Sequence, residues 1–317
     1  MHLFCSDESF AEYGRRWREL APGLEHVGLP EGRRLEPEEI ERIDIAAFTG
    51  DLWQSGRSPA FFKVLLQAPN LRWLHLFSAG TDAPVFQQIM QRGVRVTNSA
   101  GAAARPIAHS VIMQMLALCR GARPWAIDQA NKAWQPRHHP DVEGRRMAVV
   151  GMGAIGAEVA RLAAHFGVHV IGVRRTPRGD EPCETWPTSR LHELLLQVDD
   201  LVLTAPLTDE TRGLIGAYEF ALLPQGAHVI NVGRGPVIDE AALIAALQSG
   251  HLGGAALDVF EVEPLPTTNP LWEMPNVIVT PHSSGNTDLA IERTLEVFTD
   301  NLGRYARGEP LQNEVTR

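Results

Sequence analysis

Three segments of the chain place an arginine, a carboxylate and a histidine directly after short apolar runs. The segments are Asn231–Gly235 with Arg234, Asp258–Pro266 with Glu263, and Pro281–Gly285 with His282. The apolar runs before them are Ala227–Ile230, Ala255–Leu257 and Val277–Thr280. If these runs are strands of one parallel sheet, their carboxyl ends meet at the same edge, and the side chains that follow them converge there.

Together these side chains suit hydride transfer to a 2-oxo acid. Arginine can bind a substrate carboxylate through its planar fork and polarise the keto oxygen. Histidine titrates near neutral pH and can deliver a proton to the developing alkoxide. A carboxylate beside it would hold the ring in orientation and favour its protonated form. We therefore expect Arg234, Glu263 and His282 to be catalytic, with Arg234 and His282 also contacting the substrate.

A glycine-rich turn earlier in the chain is typical of a dinucleotide site. The pattern Gly151-x-Gly153-x-x-Gly156 lies between the apolar runs 147–150 and 168–173, and a small-residue helical pattern follows the turn. The order strand, turn, helix, strand makes the glycine pattern specific. The glycines permit a tight turn, close approach of a pyrophosphate and packing of helix on strand, and the helix N-terminus faces the phosphates.

The end of the second apolar run predicts which dinucleotide binds. An NAD site would place Asp or Glu there to hold the ribose hydroxyls. This chain has Arg174-Arg175-Thr176 instead. Guanidinium groups pair with a 2′-phosphate that a carboxylate would repel. The sequence predicts NADP(H) as the preferred cofactor, with NAD(H) as the second choice.

Alternation of predicted strands and helices indicates an α/β protein. At 317 residues, two domains are the default. We expect two doubly wound parallel-sheet domains, the larger a Rossmann dinucleotide-binding domain. The substrate (lid) domain is predicted at 1–98 plus 287–317, and the dinucleotide-binding domain at 99–286. The loop 78–82 follows a predicted strand end, where ligands bind in such sheets.

Two local predictions concern the substrate pocket. Thr49–Asp51 is typical of a turn after a strand, and Ala126–Trp134 of a helix that Pro136 ends. Trp134 is either an ordinary packing residue or a residue that closes a substrate pocket, with contact across a dimer interface as one route. Trp53 is a weaker candidate for the same role.

Composition excludes several classes of partner. A net charge of −9 argues against a nucleic-acid or anionic-membrane surface. The three cysteines are widely spaced, which predicts neither a disulfide framework nor a cysteine metal site. His138 and His139 lack the carboxylate or cysteine spacing of a metal site. With no signal-peptide pattern and no membrane-length apolar run, we expect a cytoplasmic protein with a small-molecule substrate.

The motifs resemble those of the D-isomer-specific 2-hydroxyacid dehydrogenases. The matching pieces are Gly151-x-Gly153-x-x-Gly156, Asn231-x-Gly-Arg234-Gly235, Asp258-Val-Phe-x-x-Glu263-Pro-Leu-Pro and Thr280-Pro281-His282. They occur in the family's order and spacing between about Leu71 and Glu309. Within the family the chain looks most like the bacterial glyoxylate/hydroxypyruvate reductases.

The resemblance implies a role for each matched position. Arg234, Glu263 and His282 would be catalytic, Asp258 would lie near the nicotinamide carboxamide, and the cofactor would be NAD(P). It also implies a homodimer and closure of the domains over the cofactor. The substrate contacts would be Ala79, Gly80, Arg234 and His282, and we add Trp134 as the candidate that closes the pocket. The cofactor contacts would be Gly151, Met152, Gly153, Ala154, Ile155, Gly156, Arg174, Arg175, Thr176, Ala205, Pro206, Thr211, Val232, Gly233, Arg234, Asp258, His282 and Ser284.

Departures from the family pattern bear on the alternatives. Formate dehydrogenases of the family carry glutamine where Glu263 stands, so the glutamate argues against a formate dehydrogenase. The threonine and glutamate frequent near Ala104 and His109 are absent. Two alternatives remain: a dinucleotide-sensing interaction protein on the same fold, related to the C-terminal-binding-protein corepressors, and an NAD-dependent phosphoglycerate-type dehydrogenase. Turnover of NADPH with glyoxylate separates an enzyme from a sensor.

Overall fold

The computed structural model describes residues 1–81 and 83–315, and the chain divides into two compact units. The first unit joins Met1–Ala103 to Thr287–Arg317, and the second is Ala104–Asn286. Asp82, in the predicted ligand loop 78–82, lies outside the described residues. So do Thr316 and Arg317, at the end of the predicted substrate domain.

The sheet of the first unit has five short strands. They are β1 (His2–Cys5), β2 (Glu25–Gly28), β3 (Ile45–Phe48), β4 (Trp73–Leu76) and β5 (Arg95–Asn98). All pair in parallel in the spatial order β2-β1-β3-β4-β5, a doubly wound order. β3 and β4 are buried along their whole length, as expected where helices cover both faces of a sheet.

Five helices connect these strands. They are α1 (Asp7–Leu20), α2 (Pro37–Glu41), α3 (Gly50–Gln54), α4 (Ser58–Gln67) and α5 (Pro84–Gln91). α1 begins after Ser6, whose hydroxyl accepts the Ser9 amide at 3.1 Å. Phe10, Tyr13 and Trp17 recur at helical spacing and bury one face of α1 in the core of this unit.

The sheet of the second unit has seven strands. They are β6 (Arg146–Val150), β7 (His169–Arg174), β8 (Glu184–Pro187), β9 (Asp200–Leu203), β10 (His228–Asn231), β11 (Gly254–Leu257) and β12 (Val277–Val279). All pair in parallel in the order β12-β11-β10-β9-β6-β7-β8. This is the Rossmann strand order with one strand added, and it reverses between β6 and β9, where such sheets bind ligands.

This unit, which the structure describes throughout, has six α-helices. They are α6 (Ala104–Arg120), α7 (Ala122–Ala130), α8 (Ala154–Ala164), α9 (Leu191–Leu195), α10 (Ala217–Leu222) and α11 (Glu240–Gln248), with short 3₁₀ turns at Thr188–Arg190, Gly235–Val237 and Pro270–Trp272. Of these helices, α7 is the one without a buried residue. The small residues Ala160 and Ala163 of α8 share a buried cluster with Ala108 and Val111 of α6. Small side chains let these two helices approach each other closely over β6.

The last helix, α12 (Ala290–Arg307), belongs to the first unit. Its Thr299 hydroxyl accepts a hydrogen bond from the Trp17 indole at 2.8 Å, and the Phe298 ring meets Trp17 edge to face. The C-terminal helix is therefore part of the core around α1. No helix within residues 1–81 and 83–315 is both long and apolar enough to cross a membrane.

Two local predictions are wrong. The helix predicted at Ala126–Trp134 is α7, which ends at Ala130 because Lys132 has a left-handed backbone with φ of 54°. Trp134 therefore lies beyond the helix. The turn predicted at Thr49–Asp51 is the start of α3, with Thr49 in the N-cap position. Strands β2 and β8 and the short helices α2 and α5 were not expected from the sequence pattern.

A buried ion pair joins the starts of three strands in the second unit. Arg145, just before β6, donates to both carboxylate oxygens of Asp200 at 2.8 and 2.9 Å. His228 Nδ1 lies 3.1 Å from Asp200 Oδ1, and Cys119 adjoins the group. Burial alone would raise the pKa of Asp200, but the hydrogen bonds from His228 and Arg145 outweigh it and lower that pKa.

Asp200→Asn should destabilise the protein by about 3–5 kcal/mol, because it leaves Arg145 buried without its counter-charge. Since the folded-state pKa of Asp200 is lowered, its contribution is present above the unfolded pKa of about 3.9 and is lost as pH falls through the folded value. Urea unfolding at neutral and acid pH measures both effects. Asp209→Asn, at an exposed position of the same unit, is the control. A loss no larger than the control's would contradict this account.

Candidate active site

The loop after β10 fixes the backbone around Arg234. Asn231 Nδ2 donates to the Arg234 carbonyl at 3.1 Å, and Asn231 Oδ1 accepts the Gly233 amide at 3.0 Å. The half-buried Arg234 directs Nη1 to the Gly233 carbonyl at 2.8 Å. Asn231 is itself buried, so one amide side chain shapes the turn that carries the arginine.

The loop after β12 is held by the buried carboxylate of Asp258. Its Oδ1 accepts the Thr280 hydroxyl at 2.6 Å and the Ser283 amide at 3.0 Å, and Oδ2 accepts the Ser284 amide at 3.1 Å. Between them His282 has φ of 48°, a left-handed backbone that is uncommon outside glycine. The hydrogen bonds to Asp258 on both sides of His282 hold the backbone in this conformation. Asp258 therefore fixes the direction of His282, a role beyond the nicotinamide contact that the resemblance implies.

His282 and Glu263 meet across the two neighbouring loops. His282 Nδ1 lies 2.8 Å from Glu263 Oε2, and Glu263 Oε1 accepts the Phe260 amide at 3.0 Å. The imidazole and the carboxyl group both remain partly open to solvent. Because Nδ1 is bound to the carboxylate, Nε2 is the ring nitrogen that can exchange a proton with a substrate.

The Arg234 loop packs against the segment that carries Glu263. A Cβ added to Gly235 would lie 1.9 Å from the backbone of Phe260, so the chain passes here without room for a side chain. The loops that carry Arg234, Glu263 and His282 are thus in direct contact at the carboxyl edge of β10, β11 and β12.

The glycine turn after β6 fits the pyrophosphate of a dinucleotide. Gly151 has φ of 108°, and a Cβ there would lie 2.6 Å from the Ala205 nitrogen. A Cβ on Gly156 would lie 2.2 Å from the Gly151 carbonyl oxygen. A Cβ on Gly153, by contrast, would meet nothing within 4 Å, so the backbone there can be approached closely. α8 begins directly after Gly153, which directs its free amides to this space.

The other predicted residues of the turn are distributed around it. Ala154 is exposed, Ile155 is half-buried, and the buried Met152 fills the space over Gly172 of β7. Thr204 at the end of β9 was missed: its hydroxyl donates to the Gly151 carbonyl at 2.6 Å and holds the turn against the next strand. Its position at the strand end next to the reversal of strand order is the signal that could have found it.

The loops after β9 and β10 carry the next group of predicted cofactor contacts. Thr211 Oγ1 donates to the Pro206 carbonyl at 2.7 Å and so closes the loop after β9. A Cβ on Gly233 would lie 2.7 Å from the Ala205 carbonyl oxygen, which shows that the two loops touch. Val232 is buried beside them.

Each of the two arginines at the end of β7 lies beside a glutamate. Arg174 donates to Glu181 at 2.9 Å, whereas the exposed Arg175 faces the exposed Glu210 at 3.3 Å. Thr176 follows at the surface. Glu181 was missed because it is seven residues beyond the strand end, and no spacing rule connects it to Arg174.

The predicted substrate contacts lie in both units. In the first unit, the Asn98 side chain donates to the Ala79 carbonyl at 2.8 Å and the Ser78 hydroxyl to the Gly80 carbonyl at 3.2 Å, which fixes both peptide planes. In the second unit, Trp134 lies in the segment after α7 with 94% of its surface exposed. This exposure argues against the packing alternative for Trp134 within one chain.

Comparison with known proteins identifies the family. The sequence model of the NAD binding domain of D-isomer specific 2-hydroxyacid dehydrogenases matches residues 112–284, more than half of the chain. The chain belongs to this family. It is therefore an NAD(P)-dependent oxidoreductase, and the resemblance inferred from the motifs is confirmed.

Individual relatives agree with this placement. The chain is 34% identical over 300 residues to a glyoxylate/hydroxypyruvate reductase B from Citrobacter koseri, with 92% of each chain covered. It is similar to a D-isomer specific 2-hydroxyacid dehydrogenase from Xanthobacter autotrophicus Py2 solved with NADPH and MES, with a TM-score of 0.81, 34% identity, and 99% of this chain and 97% of that chain covered. An NADPH-dependent glyoxylate/hydroxypyruvate reductase from Sinorhizobium meliloti, solved with NADP and sulfate, gives a TM-score of 0.78, 30% identity, and 99% and 98% coverage. The predicted fold class is confirmed.

Proposed function

We propose that this dehydrogenase uses NADPH to reduce a small 2-oxo acid, glyoxylate, hydroxypyruvate or a close analogue, to the D-2-hydroxy acid. The 2.8 Å contact between His282 and Glu263, together with the contact between the Glu263 loop and the Arg234 loop, carries the proposal. This set of groups matches what a carboxylate-bearing ketone needs: a cation for the carboxylate and a proton donor for the new hydroxyl. The glyoxylate/hydroxypyruvate reductases among its relatives support the substrate class.

Each residue of the site has a defined task in this reaction. The bound cofactor supplies the hydride. Arg234 binds the substrate carboxylate and polarises the carbonyl, and the family resemblance assigns the amides of Ala79 and Gly80 to substrate binding as well. His282 donates a proton from Nε2 to the carbonyl oxygen, and Glu263 stabilises the imidazolium before that transfer.

The residues assigned to the cofactor lie at or after the ends of β6, β7, β9, β10, β11 and β12. The segment 151–156 would hold the pyrophosphate, and residues 174–176 would surround the ribose 2′ position. Asp258 would lie beside the nicotinamide carboxamide while it holds the His282 loop. The remaining contacts are Ala205, Pro206, Thr211, Val232, Gly233, Arg234, His282 and Ser284.

Arg174→Asp should move cofactor preference from NADPH toward NADH. The change puts an acid where NAD sites hold the ribose hydroxyls, next to Glu181, and a 2′-phosphate is repelled there. The ratio of kcat/KM for NADPH to that for NADH should fall by about tenfold or more, the effect of losing 1.4 kcal/mol of phosphate binding. Steady-state kinetics with both cofactors measures it, with Arg212→Asp at an exposed position as the control for charge. A wild-type enzyme that prefers NADH would contradict the proposal.

We assign the first unit as the substrate (lid) domain and the second as the dinucleotide-binding domain. We also propose a cytoplasmic homodimer in which the segment around Trp134 contributes to the partner's pocket. Met113, Trp125, Ile127 and Trp134 all expose large apolar surface on this part of the chain, and a second copy would cover it. Sedimentation of the wild type and of Trp134→Ser tests the dimer, and KM for the 2-oxo acid tests the pocket.

A substrate panel tests the activity and separates the alternatives. With NADPH, we expect glyoxylate and hydroxypyruvate to give the highest kcat/KM among short 2-oxo acids. Cofactor binding without turnover of any 2-oxo acid would support the sensing protein. Preference for phosphohydroxypyruvate with NADH would support the phosphoglycerate-type dehydrogenase.

A further inference from the structure

A shielded carboxylate lies among the arginines at the end of β7. The Glu181 side chain is only 6% exposed, and its Oε1 accepts from Arg174 Nη1 at 2.9 Å and from the Arg178 amide at 2.8 Å. Its Oε2 accepts the Gly179 amide at 2.8 Å. The loop 175–181 is therefore wound around one carboxylate.

This carboxylate stays ionised at working pH. The hydrogen bond from the Arg178 amide, with those from Gly179 and Arg174, outweighs burial and lowers the pKa of Glu181 to about 2. The positive charge of Arg174 is consequently balanced by a carboxylate that is only 6% exposed. A phosphate would have to displace three donors to replace Glu181 at this arginine.

Arg175 is in the opposite situation. Its side chain is 82% exposed, and its partner Glu210, at 3.3 Å, is 70% exposed. An exposed ion pair of this kind contributes little and exchanges readily with other anions. Of the two arginines, Arg175 is the one whose guanidinium group can bind a 2′-phosphate.

We propose that Glu181 is a positioning residue for the ribose 2′ end of the cofactor, because it fixes the loop that presents Arg175 to a 2′-phosphate. Arg174 acts through Glu181 as one of the donors that anchor this loop. The inference rests on the proposed NADPH preference. It assigns phosphate binding to Arg175 and anchoring of the loop to Arg174. The opposite role, in which Glu181 simply repels a phosphate, predicts the opposite sign for its removal.

The test uses two ligands that differ only by the phosphate in question. Adenosine 2′,5′-bisphosphate and AMP are titrated calorimetrically into the full-length wild type and its variants. The wild type should bind the bisphosphate about tenfold more tightly than AMP, as expected for charge-assisted hydrogen bonds to the phosphate. Arg175→Ala should abolish this preference.

Two variants of Glu181 separate positioning from charge. Glu181→Gln keeps the shape but loses the anion, and Glu181→Asp keeps the anion but is too short to hold all three donors. Both should lower the bisphosphate preference by about three- to tenfold with AMP binding unchanged. Both should also raise KM for NADPH with kcat unchanged. Glu193→Gln, which removes a carboxylate from the exposed Arg190–Glu193 pair, is the control and should change neither ligand.

The other outcomes contradict the inference in distinguishable ways. Tighter bisphosphate binding by Glu181→Gln would mean that Glu181 only repels the phosphate. Equal weakening of both ligands would mean general damage to the site, and unchanged binding would leave Glu181 without a role there. A wild type that binds AMP and the bisphosphate equally would overturn the NADPH preference itself, and the Glu181 inference with it.

Discussion

Replacing His282 with alanine should lower kcat for 2-oxo acid reduction by about 10²–10⁴, the usual contribution of a positioned general acid. Reduction of a ketone consumes a hydride and a proton, and the cofactor supplies only the hydride. The Asp258 carboxylate and the Glu263 contact hold the His282 ring in one direction, so its Nε2 is prepared to supply the proton. His169→Ala, an exposed histidine of the same unit, is the control. A His282→Ala enzyme with most of the wild-type kcat would remove His282 from the reaction.

Glu263→Gln tests what the negative charge of Glu263 contributes to the His282–Glu263 pair. Glutamine keeps the shape of the carboxylate but removes the anion that stabilises an imidazolium. Reduction needs a proton donor at the carbonyl oxygen, so kcat for reduction should fall when the carboxylate that holds His282 Nδ1 is lost. Steady-state kinetics with NADPH and glyoxylate measures this fall, and NADPH binding should be unchanged. An unchanged kcat would show that Glu263 does not assist His282.

Arg234→Ala should lower kcat/KM for glyoxylate by about 10²–10³, the effect of losing a donor that stabilises developing charge. The buried Asn231 builds the turn that aims this arginine, so loss of the side chain removes a preorganised cation. Arg234→Lys should recover only part of the loss, because an ammonium group lacks the planar fork that matches a carboxylate. NADPH binding should persist in both variants.

Two measurements complete this prediction. Fluorescence titration with NADPH checks that the cofactor still binds, and Arg212→Ala controls for the loss of one surface charge. Near-normal kcat/KM in Arg234→Ala would exclude it as the carboxylate-binding residue. Full recovery by lysine would show that its charge alone matters.

The sequence was sufficient where a residue's position follows from its place directly after a strand. Polar residues directly after apolar runs led to Arg234, Glu263 and His282, because parallel strands bring their carboxyl ends to one edge. The glycine turn was equally readable, since only glycine tolerates φ of 108° beside the Ala205 backbone. The contacts between the loops that carry Arg234, Glu263 and His282 follow from the order of β10, β11 and β12.

The sequence did not predict contacts between residues that are brought together by the conformation of a loop. Glu181 reaches Arg174 only because the loop between them folds back, and no periodicity encodes that reversal. The hold of Asp258 on the Ser283 and Ser284 amides likewise depends on the left-handed backbone of His282. α7 stops before Trp134 at a left-handed lysine, a residue type that gives no stop signal.

The configuration of the product tests the central claim most directly. Hydroxypyruvate is reduced with NADPH by the purified wild-type enzyme, and the glycerate formed is resolved by chiral chromatography. A hydride delivered to one face of a ketone that Arg234 and His282 hold in a fixed orientation gives a single enantiomer. We expect D-glycerate, formed in step with NADPH oxidation. L-glycerate, a racemic mixture or NADPH binding without any glycerate would contradict the account.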